Sequence, residues 1–332
     1  MTGYRLTNAA IARRLIKASL WETKIMNKRK DILWGLIVFC LVLASSCNRS
    51  PQITNKLTIV KGENKTMSSK KIKGVAGFLN VNDAGEGGLP VVFVHSFAGD
   101  AGHWSAQLEH LRKTRRAVAF DMRGHGESDA PTDQNAYSIE SLSADIAAVV
   151  DELGIKRFVL VGHSMGGAAA LVYAGKHPER VAGLVLAGAP GKVPAEQAKQ
   201  IIASLESDYE KTMDSYWRQL LTDAQPSVLK RLTEGKEKMS QDSSMNFIKA
   251  VFEYDPMPSL QNFHGQKLAI TTPRENQPYD LHNLKPNLSH KVISGTSHWT
   301  EMDKPEEFNQ ILDEFLAQVE AGDQRRKMAA IA

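Results

Sequence analysis

The sequence predicts an α/β architecture: a mostly parallel, doubly wound sheet with an inserted helical cap. Three observations predict it. From residue 72 onward, short apolar runs of strand length alternate with longer segments of helical spacing. Those runs are apolar throughout, as strands covered on both faces must be. Between residues 191 and 264 the rhythm breaks, and a stretch too long for an ordinary connection holds helix-forming residues but no apolar strand candidate.

In chain order, residues 89–94, 117–120, 158–161 and 181–187 are the strand candidates before the break. Residues 103–112, 138–153 and 166–177 are the helices between them. After the break, strands are expected at 267–271 and 290–293. A closing helix follows at 305–319, with Pro305 at its start, where a missing N–H costs nothing. The α/β domain therefore spans residues 72–321, with the cap at 191–264 and a frayed tail at 322–332.

Composition excludes several classes. A hydrophobic fraction of 42% and a charged fraction of 23% belong to an ordinary globular chain, not to a disordered or coiled-coil one. The formal charge of +4 comes from the N-terminus. Residues 1–47 hold eight of the 41 basic and two of the 37 acidic side chains, which leaves 33 against 35 and a body near −2. No clustered basic face follows residue 73, so no nucleic-acid partner is expected. The two cysteines, Cys40 and Cys47, both precede the domain. The body thus offers no disulfide framework, no thiol nucleophile and no zinc site.

The N-terminus carries an address. Lys28-Arg29-Lys30 is followed by a mostly apolar run at 32–43, short for a membrane span and right for a signal sequence. Met26 is better placed as a start than Met1. Leu43-Ala44-Ser45-Ser46-Cys47 resembles a bacterial lipobox, which implies a signal over 1–47, a lipid on Cys47 and a lipid-anchored location in the cell envelope. A cleaved soluble signal and an uncleaved anchor are the alternatives. Residues 48–71, polar and rich in Asn, Lys, Ser and Thr, suit a linker between membrane and domain, and Lys70-Lys71-Ile72-Lys73 is its solvated end.

The chemistry centres on Gly162-His163-Ser164-Met165-Gly166, which follows a strand and opens a helix. This is the context of a nucleophile elbow. A sharp turn lifts the Ser164 hydroxyl above the sheet, and side chains at Gly162 or Gly166 would clash. The Met165 N–H then stands at a helix N-terminus, facing developing negative charge.

These residues resemble the α/β-hydrolase superfamily, over roughly 73–320. Val94-His95-Ser96-Phe97-Ala98-Gly99 is similar to its oxyanion loop, with Ser96 where glycine is usual. The resemblance implies that the Phe97 and Met165 backbone N–H groups hold the oxyanion. Asp121-Met122-Arg123-Gly124-His125-Gly126-Glu127-Ser128 is similar to a structural loop of the family, so His125 is not expected to act as a base. Gly295-Thr296-Ser297-His298-Trp299 resembles the catalytic histidine loop, which makes His298 the general base. The acid should follow the strand ending at Thr271, but the usual Gly-x-x-Asp is missing. Glu275 is best placed by distance and Asp280 is next.

The implied activity is that of a serine hydrolase, by default a carboxylesterase of small to medium esters, working through an acyl-enzyme with no metal or organic cofactor. A serine nucleophile disfavours the dehalogenase and epoxide hydrolase chemistry of this fold, which uses aspartate. Aminopeptidase, carbon–carbon hydrolase, perhydrolase and acyltransferase chemistries remain open, as does a non-catalytic envelope ligand-binding module. The cap is expected to choose the substrate rather than do chemistry. Trp217 and Tyr216 are its candidate substrate-binding residues. Nothing in the sequence specifies an oligomeric state.

Overall fold

Eight strands form one sheet in the order β1-β2-β4-β3-β5-β6-β7-β8. They are β1 (Ser69–Gly74), β2 (Gly77–Ala84), β3 (Val91–Val94), β4 (Ala117–Phe120), β5 (Phe158–His163), β6 (Val181–Ala187), β7 (Gln266–Thr271) and β8 (Ser289–Val292). Only β2 runs against its neighbours; β3 to β8 are parallel. The computed structural model describes residues 69–331. The signal at 1–47, the lipidation candidate Cys47 and the linker up to residue 68 lie outside the described residues.

The central strands are apolar throughout because successive residues feed two different cores. Val92, Val94, Val118, Phe120, Leu160, Leu184 and Leu186 point to one. Val91, Phe93, Ala117, Ala119, Val159, Val161 and Val185 point to the other. Of the helices so far, α1 (Ser105–Leu111) covers the second core through Leu108 and Leu111. α2 (Ile139–Glu152) and α3 (Met165–Lys176) cover the first, through Ile146, Val149 and Leu171. Ser138 caps α2 by accepting a hydrogen bond from the Ser141 N–H, the usual device for an orphaned helix donor.

The insertion is helical, as expected. It holds α4 (Ala195–Ser207), α5 (Tyr209–Leu220), α6 (Pro226–Glu237), α7 (Gln241–Glu253) and α8 (Met257–Asn262). Their starts are legible: Asp208 and Ser240 are side-chain caps, and Pro226 opens α6. Leu205, Met213, Trp217, Leu232, Phe247 and Ile248 bury their apolar stripes in the first core. Two short helices, α9 (Leu281–Leu284) and α10 (Thr300–Asp303), flank β8, and α11 (Pro305–Ile331) closes the chain.

Two boundaries differ from expectation. Residues 69–71 are not linker: they belong to β1, which pairs antiparallel with β2. Its sequence hides this because Ile72 is its one fully buried residue, while its lysines face outward, as edge strands require. The frayed tail is not seen either. α11 runs on to Ile331, and the Arg115–Glu320 and Arg157–Asp323 ion pairs (2.6 and 2.9 Å) hold turns that carry no apolar stripe.

The order of the strands positions the site. After β3 the chain adds β4 on one side and β5 on the other, so the loops leaving β3 and β5 diverge and open a crevice at their C-terminal ends. Register places Val94 beside Gly162, and His163 beside Ala187. The loop over residues 121–128 is anchored below this crevice. Arg123 is buried, pairs with Asp145 at 2.6 Å and donates to the Ala136 and Ser141 carbonyls. Asp145→Ala would leave the guanidinium buried without its counter-charge and should cost about 3–5 kcal/mol. Urea unfolding measures this, with exposed Glu127→Ala as a control expected to change stability by no more than ~0.5 kcal/mol.

Candidate active site

Ser164 is the N-cap of α3 and has φ 52° and ψ −120°, a conformation that side chains avoid. Its neighbours hold it there. The Ser164 N–H donates to the Ala187 carbonyl at 2.8 Å, and its own carbonyl accepts from Ala168 at 3.1 Å. A Cβ on Gly166 would fall 2.2 Å from the His95 carbonyl oxygen, and one on Gly162 would fall 2.5 Å from the Gly166 oxygen. Glycine at both positions lets β5 and α3 close onto β3.

His298 and Ser164 line the same cavity, of about 280 Å³. The His298 ring lies over Gly188, where a Cβ would come within 2.7 Å of Cε1. Its Nδ1 hydrogen-bonds Glu275 Oε1, while Glu275 Oε2 accepts from the Thr272 N–H at 2.9 Å. His298 Nε2 is buried and has no hydrogen-bond partner among the described residues. Burial opposes a charge on His298, but Glu275 outweighs it and holds the imidazole above its ordinary value. Burial likewise opposes charge on Glu275, and His298 together with the Thr272 N–H keeps the carboxyl below its ordinary value. Asp280, the other acid suggested by the sequence, does not reach the histidine. Its Oδ2 accepts from the Gln277 N–H at 2.6 Å.

The loop after β3 turns tightly at Phe97-Ala98, with Gly99 N–H donating to the Ser96 carbonyl and Ala98 at φ 54°. Among the described residues, no acceptor takes the Phe97 or Met165 N–H. His125 supports the turn from below by accepting from the Ala98 N–H at 3.2 Å. Burial pushes its imidazole down to about 3, so it stays neutral and can accept. Ser96, at the position where glycine is usual, uses its hydroxyl: Oγ accepts from Trp299 Nε1 at 2.9 Å and ties this loop to the histidine loop.

The two cap aromatics separate. Tyr216 lines the cavity with Gln219, Leu220, Val251 and Phe252. Trp217 does not line this cavity. Adjacent positions on a helix face different ways, and Trp217 turns into the core. It is 4% exposed and stacks on Trp299 with ring centroids 5.6 Å apart and planes 4° from parallel. Two further ties join cap and histidine loop. His298 N–H donates to the Leu220 carbonyl at 3.0 Å, and Asp303 bridges the Gln225 N–H and the Ser297 N–H. The cap therefore helps to build the histidine loop, a role that no local sequence pattern signals.

The family model described as alpha/beta hydrolase fold matches residues 90–305, and the chain belongs to that family. Over 107 residues it is 43% identical to the dihydrolipoyllysine-residue acetyltransferase component of acetoin cleaving system of Pseudomonas putida, covering 32% of this chain and 28% of that protein. Over 266 residues it is 29% identical to 2-hydroxymuconate semialdehyde hydrolase of the same organism, covering 73% of this chain and 92% of that one. The chain spans less than a third of the length of the first curated relatives it matches. The solved structure of a thermophilic esterase from Thermogutta terrifontis aligns with a TM-score of 0.65 at 24% identity, covering 76% of this chain and 99% of that one. That likeness is one of fold.

The cap geometry separates two variants. Trp217→Ala should lower hydrolysis of short and long p-nitrophenyl esters alike, because it loosens the loop that carries His298. Tyr216→Ala should change the preferred chain length and leave labelling of Ser164 by a small fluorophosphonate within about three-fold of wild type, a difference of well under 1 kcal/mol. Steady-state rates across an ester series and labelling rates measure both.

Proposed function

We propose that the protein is a serine hydrolase, a carboxylesterase of small to medium esters. The observation that carries this reading is one cavity holding Ser164 on its strained turn and His298 with Nδ1 on Glu275 and Nε2 unpartnered. Ser164 Oγ attacks the ester carbonyl while His298 Nε2 takes its proton. The oxyanion is held by the Phe97 and Met165 N–H groups. His298 then protonates the departing alcohol, leaving an acyl-serine. Water attacks that ester with His298 again as base, and the carboxylic acid leaves. Glu275 keeps Nδ1 protonated and stabilises the imidazolium. Support for an ester of modest size comes from the cavity's volume and its apolar wall of Leu186, Val193, Leu220, Val251 and Phe252.

Ser164→Ala should abolish fluorophosphonate labelling and lower turnover by at least about a thousand-fold, with the fold retained. Retention of a tenth of the activity would falsify the assignment. The base must be neutral to act, so kcat/KM should fall as pH drops through the raised pKa of His298, above about 6.5. Glu275→Gln removes the carboxylate that raises it. The acid limb of the profile should then move to lower pH, and kcat should fall strongly. A limb that stays in place means another group sets the ionisation.

We further propose attachment to the cell envelope through lipid on Cys47. The basic cap, the short apolar run and the small residues before this cysteine support it. Mass spectrometry of the mature N-terminus should find a lipid mass on Cys47. A free end at Ser46, Cys47 or Asn48 without lipid would mean a secreted soluble protein.

A further inference from the structure

One buried ionisable pair takes no part in this mechanism. Glu301, in α10, is fully buried, and among the described residues neither of its carboxylate oxygens receives a hydrogen bond. The nearest basic atom is His163 Nδ1, at 3.1 Å. No lysine or arginine pairs with Glu301 among the described residues. The other titratable groups facing the pair are His95, His103, Glu275 and His298. Burial keeps His95 below its ordinary value and pushes His103 down to about 3, so neither supplies a counter-charge. A carboxyl group is too expensive to bury here unless the His163 ring answers it.

His163 occupies a pivotal place. It ends β5, one residue before the nucleophile, and its ring centroid is 4.7 Å from that of His298. Its Nε2 lies 3.0 Å from the backbone carbonyl oxygen of His298. A carbonyl only accepts, so Nε2 carries a proton. Glu301 Oε1 faces Nδ1 at 3.1 Å, a charge contact outside hydrogen-bond geometry, and so flanks the far side of the ring while Nε2–H is turned to the His298 carbonyl. The backbone of the general base is thereby held at both ends, its carbonyl by His163 and its N–H by the Leu220 carbonyl.

We propose that Glu301 is a positioning residue for His298, acting through His163: it fixes the ring whose Nε2–H grips the His298 carbonyl and so sets the imidazole over Ser164. The proposal rests on the serine hydrolase reading above. Two variants of similar volume separate it from space filling and from bare charge. Glu301→Leu removes the anchor. With p-nitrophenyl butyrate, kcat should fall on the order of ten-fold or more while KM changes little, as misplacement of a catalytic group predicts. Glu301→Gln keeps a donor for Nδ1 and should recover most of kcat. Equal losses in the two variants, or no loss in either, overturn the proposal. If the unmodified protein fails to label with a fluorophosphonate, the serine hydrolase reading itself falls, and the proposal with it. Should Glu301→Leu fail to fold, the 15N–1H spectrum of the unmodified, histidine-labelled protein decides. A proton on His163 Nε2 is expected, and an unprotonated Nε2 overturns the proposal.

Discussion

The site depends on a single backbone constraint, the left-handed conformation of Ser164 between β5 and α3. Such a conformation costs on the order of 1–3 kcal/mol and persists only where its surroundings exclude alternatives. Here the exclusion is geometric. The parallel register of β3, β5 and β6 brings the His95 and Ala187 carbonyls to the turn. Glycines at 162 and 166 let these backbones close together where any side chain would clash. The same turn aims the Met165 N–H and opens the crevice between the loops of β3 and β5. The positions of the Ser164 side chain, the Met165 N–H and the pocket are consequences of one strand-to-helix junction.

Around that junction the site is assembled from segments far apart in sequence, and buried polar contacts join them. Trp299 connects them most directly: its indole N–H reaches Ser96 in the loop after β3, and its ring stacks on Trp217 of the cap. Asp303 joins the cap to the histidine loop by a second route. A cap held in this way does more than shape the pocket. It supplies the Leu220 carbonyl that holds the amide of His298. Buried hydrogen bonds of this kind set position sharply, because leaving any partner unpaired inside the protein carries the full desolvation cost.

Legibility followed periodicity and local chemistry. Strands β3 to β7 were readable because two-sided burial makes their runs apolar throughout. The cap was readable as a break in rhythm. The first hairpin was not, since β1 buries little and its lysines look like linker. The turn of α11 around residues 320–323 offers no apolar signal, and it is held by ion pairs of Glu320 and Asp323 to Arg115 and Arg157, which lie far away in sequence. Distance from β7 favoured Glu275 over Asp280 but could not exclude the latter, because only the loop's course brings one carboxylate to His298 Nδ1. Tyr216 and Trp217 are adjacent and equally aromatic, so composition could not say which one faces the cavity.

By itself the sequence determined the α/β class, the helical insertion, and the Ser164 and His298 motifs, each carried by residues close together in the chain. Glycines around a serine between a strand and a helix act through local sterics, and local sterics can be read from a short window. The tertiary structure alone decided which acid meets His298, what Ser96 does in place of glycine, and that Trp217 supports the histidine loop. It also revealed the buried pairing of His163 with Glu301. Those outcomes depend on distances between residues tens to hundreds of positions apart. Only closing the sheet and seating the cap against it establishes them.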